Sequence, residues 1–198
     1  MSPRADAVRS RERILETARR HDVRALRLND IARDAGVGIG TVYRHFPTVR
    51  ALVEALSVDT LVRLGDAADR AVAEPDARQA FRRFLGDALA LQLEDGGLEA
   101  VLTDMAQSDP GLHNECAAAR GKVFAGYAAV LSRAQRDGVV RDDVTPGQLQ
   151  RLICGIEHAV RLGSPADRDL LLDILLAGMR PDEPSEPPTG AGMMSARG

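Results

Sequence analysis

Apolar residues recur along most of this chain at the spacing of helices with one buried face. Polar turns and breakers punctuate them. Three short helices are predicted in the first quarter, near residues 9–20, 28–35 and 38–45, preceded by a flexible basic arm over residues 3–10. Pro47-Thr48 restarts a helix, with Thr48 as its N-cap, and Leu52, Leu56, Leu61 and Leu64 carry one long fourth helix toward Ala73. Glu74-Pro75-Asp76 breaks it. Phe81, Phe84, Leu85, Ala88 and Leu89 mark the next helix, ended by Gly96-Gly97, and Val101, Leu102 and Met105 share one side of the segment 98–108. Asp109-Pro110 opens a further helix carrying Val123, Phe124, Tyr127, Val130 and Leu131 to the turn at Asp137-Gly138. Thr145-Pro146 and Ser164-Pro165 start the last two helices, since a hydroxyl caps and proline suits the first turn. Residues 182–198, with three prolines and many small residues, are expected to be disordered.

Composition agrees with an all-helical chain. Of 198 residues, 44% are apolar but only 3% aromatic, so the core is built mainly from Leu, Val, Ile and Ala. That mixture favours helices over sheets. No apolar run approaches the ~20 residues that cross a bilayer, and Met1-Ser2-Pro3-Arg4-Ala5-Asp6 lacks the apolar core of a signal peptide, so a cytoplasmic protein without a membrane partner is expected. Cys116 and Cys154 are too few and too far apart in sequence for a disulfide framework.

The most informative stretch is Gly36-Val37-Gly38-Ile39-Gly40-Thr41-Val42-Tyr43-Arg44-His45-Phe46. A turn of small residues leads directly into a helix bearing hydroxyl, phenol, guanidinium and imidazole groups. Small residues let a helix end approach base edges in the major groove, and the polar groups donate to flanking phosphates. In front, Ile31, Ala32 and Ala35 share a helical face and Gly36 can take the left-handed conformation that ends a helix. The unit reads as helix-turn-helix.

These residues resemble the TetR family of transcriptional regulators. The resemblance rests on Ile14-Leu15-Glu16-Thr17-Ala18, on Asp30-Ile31-Ala32-Arg33-Asp34-Ala35-Gly36-Val37, on Gly40-Thr41-Val42-Tyr43-Arg44-His45-Phe46, and on Leu52 and Val53. It implies an all-α fold with a DNA-binding domain at residues 1–47, a ligand-binding and dimerisation domain at 48–180 and a tail at 181–198. Two departures stand out. The link from Ala18 to Leu28 is shorter than in most members, with Val23, Leu26 and Leu28 as expected substitutes for missing core side chains, and Val49 stands where the family often has a phosphate-binding Lys.

Within this reading Ile39 and Gly40 approach the bases, Thr41, Tyr43, Arg44 and His45 meet phosphates with Arg44 also able to reach a base, and Arg33, Gly38 and Arg50 complete the DNA-binding set. Val42 and Phe46 are core. Charge supports the assignment. Residues 1–50 carry eleven arginines against six carboxylates, a net of +5, whereas the remainder holds 15 basic and 23 acidic residues, a net of -8. A basic head attracts phosphate while an acidic body is repelled.

The last two helices carry more apolar residues than one stripe needs, and the resemblance implies that they join a second subunit as a homodimer reading a palindromic operator on double-stranded DNA. It also implies an unknown small-molecule effector bound among the middle helices, with Phe84, Met105, Phe124 and Tyr127 as candidate lining and His113 and His158 as candidate polar contacts. His113, Glu115 and Cys116 on one helix and Cys154 and His158 on another have spacings that metal ligands use, but no metal or other cofactor is expected. No phosphate loop, nucleophile elbow or metalloprotease helix is present, so no enzyme is expected. A helical small-molecule-binding or metal-sensing protein with weak or lost DNA binding stays open as the alternative.

Overall fold

The computed structural model describes residues 3–103 and 114–181, all of whose regular elements are helical. Helix α1 spans Pro3–Ala18. The stretch expected as a flexible arm is therefore its first two turns. Asp6 pairs with Arg9 and its carbonyl accepts from the Ser10 hydroxyl at 2.9 Å, while Ala5 and Ala7 are strong helix formers. An acidic group in the first turn also suits the helix dipole. Ile14, Leu15, Thr17 and Ala18 form the buried face.

The short link closes as one 3-10 turn, Val23–Ala25, in which the Asp22 side chain accepts from the Arg24 amide at 3.0 Å. Leu26 and Leu28 are buried and Val23 packs at the edge of the core, filling the place expected of them. His21 Nε2 lies 3.2 Å from Asp34 on α2 (Leu28–Asp34), pinning the link to that helix. Gly36 then adopts φ +63°, the left-handed turn that releases the Val37 amide to bond the Ala32 carbonyl at 3.0 Å. Helix α3 follows at Ile39–His45.

One long helix was expected after Thr48. Instead α4 (Val49–Leu56) and α5 (Val58–Ala73) are separated at Ser57. Thr48 caps α4, its Oγ1 accepting from Ala51 at 3.0 Å. The fully buried Ser57 hydroxyl reaches Asp95 at 3.3 Å, so a side-chain bond to a distant turn competes with regular helix where the chain leaves the head.

The body is assembled from α6 (Ala77–Glu94), α7 (Leu98–Thr103), α8 (Asn114–Arg136), α9 (Pro146–Leu162) and α10 (Arg168–Gly178). Helix α5 packs mainly on α8. Their backbones come close because a Cβ on Gly126 would stand 2.5 Å from that of Ala68, leaving no room for any side chain there. Lys122 of α8 bridges Asp66 and Asp69 of α5 at 3.0 Å each. Arg133 donates to the carbonyls of Ala71, Val72 and Pro75, satisfying acceptors that the end of α5 leaves open. Thr145 caps α9 at the expected Thr145-Pro146 start, and Gln148 at the third helical position completes a reciprocal cap with it. The last helix starts later than expected, because Pro165–Asp167 first makes a 3-10 turn capped by Ser164. The expected tail over 182–198 lies outside the described residues.

Candidate nucleic-acid interface and ligand-binding body

Helix α3 divides cleanly between core and solvent. Val42 and Phe46 are fully buried in the head's core, where α3 packs on α1 and α2, each contributing about 1.5–3 kcal/mol of apolar transfer. On the other side Ile39 is 40% and Tyr43 50% exposed, and Gly38, Gly40 and Arg44 are exposed with them. Thr41 and His45 sit half-buried at the margins. Gly38 is the N-cap, its carbonyl accepting from Thr41 at 2.8 Å. An isoleucine and a tyrosine held outward beside two glycines leave apolar surface and donors free for an outside partner.

Arg11 of α1 joins this surface, although sequence alone had not singled it out. Its guanidinium stands 5.5 Å from the centre of the Phe46 ring. His45 is held below the ordinary imidazole value, first by burial and then by the positive charges of Arg11 and Arg44. The outer end of α3 is therefore a concentrated cationic corner. Its signal was hidden because Arg11 lies on another helix, and only packing brings the two together.

Two arginines of the expected set are otherwise engaged. Arg33 is exposed, but Asp30 and Asp34 each hold it at 3.1 Å, compensating its charge. Arg50 donates through Nε to Glu54 at 2.9 Å, one helical turn along α4, and borders a depression with Val53, Ala100 and Val101 toward the body.

In the body Phe84 and Tyr127 are buried edge to face, ring centres 4.8 Å apart, and Phe124 is half-buried at the rim of the core. His158 departs from its expected role as a polar contact there, because it is exposed on α9. Cys154 sits at the edge of the buried stripe, and four residues along a helix advance the direction by about 40°, which carries His158 into solvent. Met105 and His113 lie outside the described residues. Among the described residues no group of three or more His, Cys, Asp or Glu is disposed to hold a metal ion, Glu115 is exposed, and both cysteines are buried free thiols. Burial, then Glu99 and Glu157, pushes the Cys154 thiol up to about 11, and burial, then Glu54, raises Cys116.

Three buried polar side chains escaped the sequence reading. Gln92 on α6, Gln150 and Glu157 on α9 are almost fully enclosed. Gln150 donates to Cys154 at 2.9 Å. Gln92 is the polar neighbour of the Tyr127 hydroxyl, yet at hydrogen-bonding geometry neither the phenol nor either Gln92 amide atom has a partner. Glu157 Oε2 is likewise unpaired. Burial, followed by the field of Cys154, keeps the Tyr127 phenol protonated far above its ordinary range. Nothing in the helical pattern announces such residues, since a single polar position inside an apolar stripe reads as the stripe's edge.

Family models agree with this geometry. Residues 13–56 match the model of bacterial regulatory proteins of the tetR family, and residues 76–181 match that of the SbtR-like transcriptional regulator C-terminal domain. Among solved structures, the TetR transcriptional regulator SCO0520 from Streptomyces coelicolor is 28% identical, with a TM-score of 0.53, covering 87% of this chain and 99% of its own. The regulator PfmR from Thermus thermophilus is 22% identical (TM-score 0.55; 87% and 100% covered), and FadR from Bacillus subtilis, solved with stearoyl-CoA, is 15% identical (TM-score 0.56; 87% and 99%); these two likenesses speak to the fold. No curated protein matches. A helix-turn-helix with an outward α3, joined to a helical body that matches the family over more than half the chain, makes this protein a member of the TetR family of DNA-binding transcriptional regulators.

Proposed function

We propose that the protein is a ligand-responsive repressor that binds a palindromic operator as a homodimer. The observation carrying the DNA reading is the face of α3: Ile39, Gly40, Tyr43 and Arg44 stand outward on a helix anchored from behind by Val42 and Phe46. Ile39 and Gly40 meet base edges, Thr41, Tyr43 and His45 meet phosphates, and Arg44 serves both. Arg11 adds a cation to the phosphate contacts. Arg33 has its charge compensated and plays a lesser part, and Arg50 belongs to the α4 face turned from DNA.

The homodimer is supported by α9 and α10. Leu152, Leu162, Leu170 and Ile174 are exposed there, Leu162 by 76%, and a cavity of about 660 Å³ runs between Leu152, Ile174, Leu175 and Met179. Two such faces covering one another would remove contiguous apolar surface from water. Two heads related by a twofold axis then read two half-sites, about one helical turn of DNA apart or a multiple of it. The effector acts by preferring the head separation that does not fit DNA, and operator DNA must weaken effector binding in return.

Selection of genomic fragments on the full-length protein, followed by footprinting, tests the reading. Enrichment of one inverted repeat, protected on both half-sites, is expected. Fragments no more enriched than bulk DNA would overturn it.

A further inference from the structure

Where head and body meet, one arginine of the head bridges two carboxylates of the body. Arg24 Nη2 lies 3.7 Å from Glu157 Oε1 and 4.0 Å from Glu99 Oε2. Glu157 is only 1% exposed, and its second cation is Arg161, one turn along α9. The two arginines are held very differently. Arg161 is anchored to the body by donating to the carbonyls of Gln92 at 2.9 Å and Leu93 at 3.0 Å. Arg24 is half exposed and reaches its carboxylates only at long range, from a 3-10 turn three residues long.

With both arginines in place, two positive charges balance Glu99 and Glu157. Removing Arg24 leaves Glu157 with Arg161 alone and Glu99 with no cation, so that the two carboxylates share one positive charge and carry a net negative charge that another monovalent cation can balance. Behind the pair lie unused hydrogen-bonding groups: Glu157 Oε2, the Tyr127 hydroxyl and both ends of the Gln92 amide are buried and unpartnered. Geometry joins them: Arg161 pairs with Glu157 and donates to the Gln92 carbonyl at 2.9 Å, Gln92 is the polar neighbour of Tyr127, and Cys154, three residues before Glu157 on α9, accepts from Gln150 at 2.9 Å. Buried polar atoms are rarely left unpaired without a reason, a bound group being one. Phe84, edge-on to Tyr127, supplies an aromatic wall.

We propose that this neighbourhood is the effector site, and that it takes a small monovalent organic cation with an N–H donor head, which displaces Arg24 from Glu99 and Glu157. The inference rests on the ligand-responsive reading above and names its ligand class. The cation's donors satisfy Glu157 Oε2 and the Tyr127 and Gln92 acceptors, its apolar part lies toward Phe84, and an anionic effector is rejected by two carboxylates. Because the displaced group belongs to the link between α1 and α2, occupancy loosens the head's attachment to the body. The effector thus gains its differential affinity by replacing one internal ion pair.

Benzamidine carries the same planar donor fork as a guanidinium, and benzamide and benzoate share its shape with charge zero and minus one. On full-length protein, thermal unfolding and operator anisotropy are measured with each, alongside a metabolite extract of the producing cells. Benzamidine alone of the three is expected to raise Tm and to weaken operator binding about tenfold. Glu157→Gln and the half-buried Glu99→Gln are expected to lose that response, whereas Arg24→Ala, lacking the internal competitor, binds benzamidine more tightly while its operator affinity no longer answers to it. Benzoate or benzamide acting as well as benzamidine overturns the cation class. Release of DNA by the extract but not by benzamidine also overturns it and leaves the ligand-responsive reading standing; if neither releases DNA, both fall.

Discussion

The Arg11 guanidinium on α1 lies 5.5 Å from the centre of the Phe46 ring at the end of α3, so that one buried aromatic both closes the head's core and positions a cation beside His45 and Arg44. His45 titrates below its ordinary value of 6.5 because burial and these two arginines oppose its charge. In the folded protein without DNA, this depressed value adds stability that is complete above pH 6.5 and is lost as pH falls from there through the folded value. Phosphate nearby reverses the field and favours the imidazolium. Operator affinity measured by anisotropy should therefore increase as pH is lowered from 7.5 to about 6 with proton uptake on binding, and His45→Gln should flatten that slope.

Tyr43→Ala should weaken binding to every duplex by about tenfold, the loss of one hydrogen bond to a charged group. Ile39→Ala or Arg44→Ala should instead change the ranking of duplexes, because these side chains are the ones proposed to reach base edges. Competition between operator and scrambled DNA separates the outcomes. Normal operator binding by Tyr43→Ala at moderate salt would refute the phosphate assignment.

Gly126→Ala should destabilise the body by about 1–3 kcal/mol, since the added carbon meets Ala68 at 2.5 Å and the helices must part. Gly121→Ala, on the same helix with open space around it, should be neutral or stabilising by up to about 1 kcal/mol. Thermal unfolding of the two variants side by side makes the comparison, and equal Tm values would refute the close approach of α5 and α8.

Leu170→Glu with Ile174→Glu should give a monomer by size-exclusion chromatography with light scattering, helical by circular dichroism and weak on the operator. Both side chains are already exposed in the single subunit, at 61% and 59%, so their replacement costs the fold little. A dimer that survives both changes would place the interface elsewhere.

Helix order, the caps at Thr48 and Thr145 and the α3 division into buried Val42 and Phe46 and outward Ile39 and Tyr43 were all legible in the residues themselves. Each depends on neighbours within a turn or two, where spacing and side-chain type suffice. The arm over residues 3–10 was misread for want of weighing Asp6, Arg9 and Ser10 as local helix partners.

What the chain by itself determined, then, is the helix-turn-helix, the opposite charge of head and body, and the stripes that must be buried. Tertiary structure alone decided that α4 and α5 part at Ser57, that Arg11 reaches Phe46, that Arg50 turns to Glu54, that His158 faces solvent while Cys154 does not, and that Arg24 meets Glu99 and Glu157. Several of these pairings join residues tens of positions apart, and helical periodicity holds no information about which faces meet or at what level. The others turn on a small rotation at the edge of a buried stripe or on which nearby carboxylate a long side chain finds, and only the packed neighbours settle either.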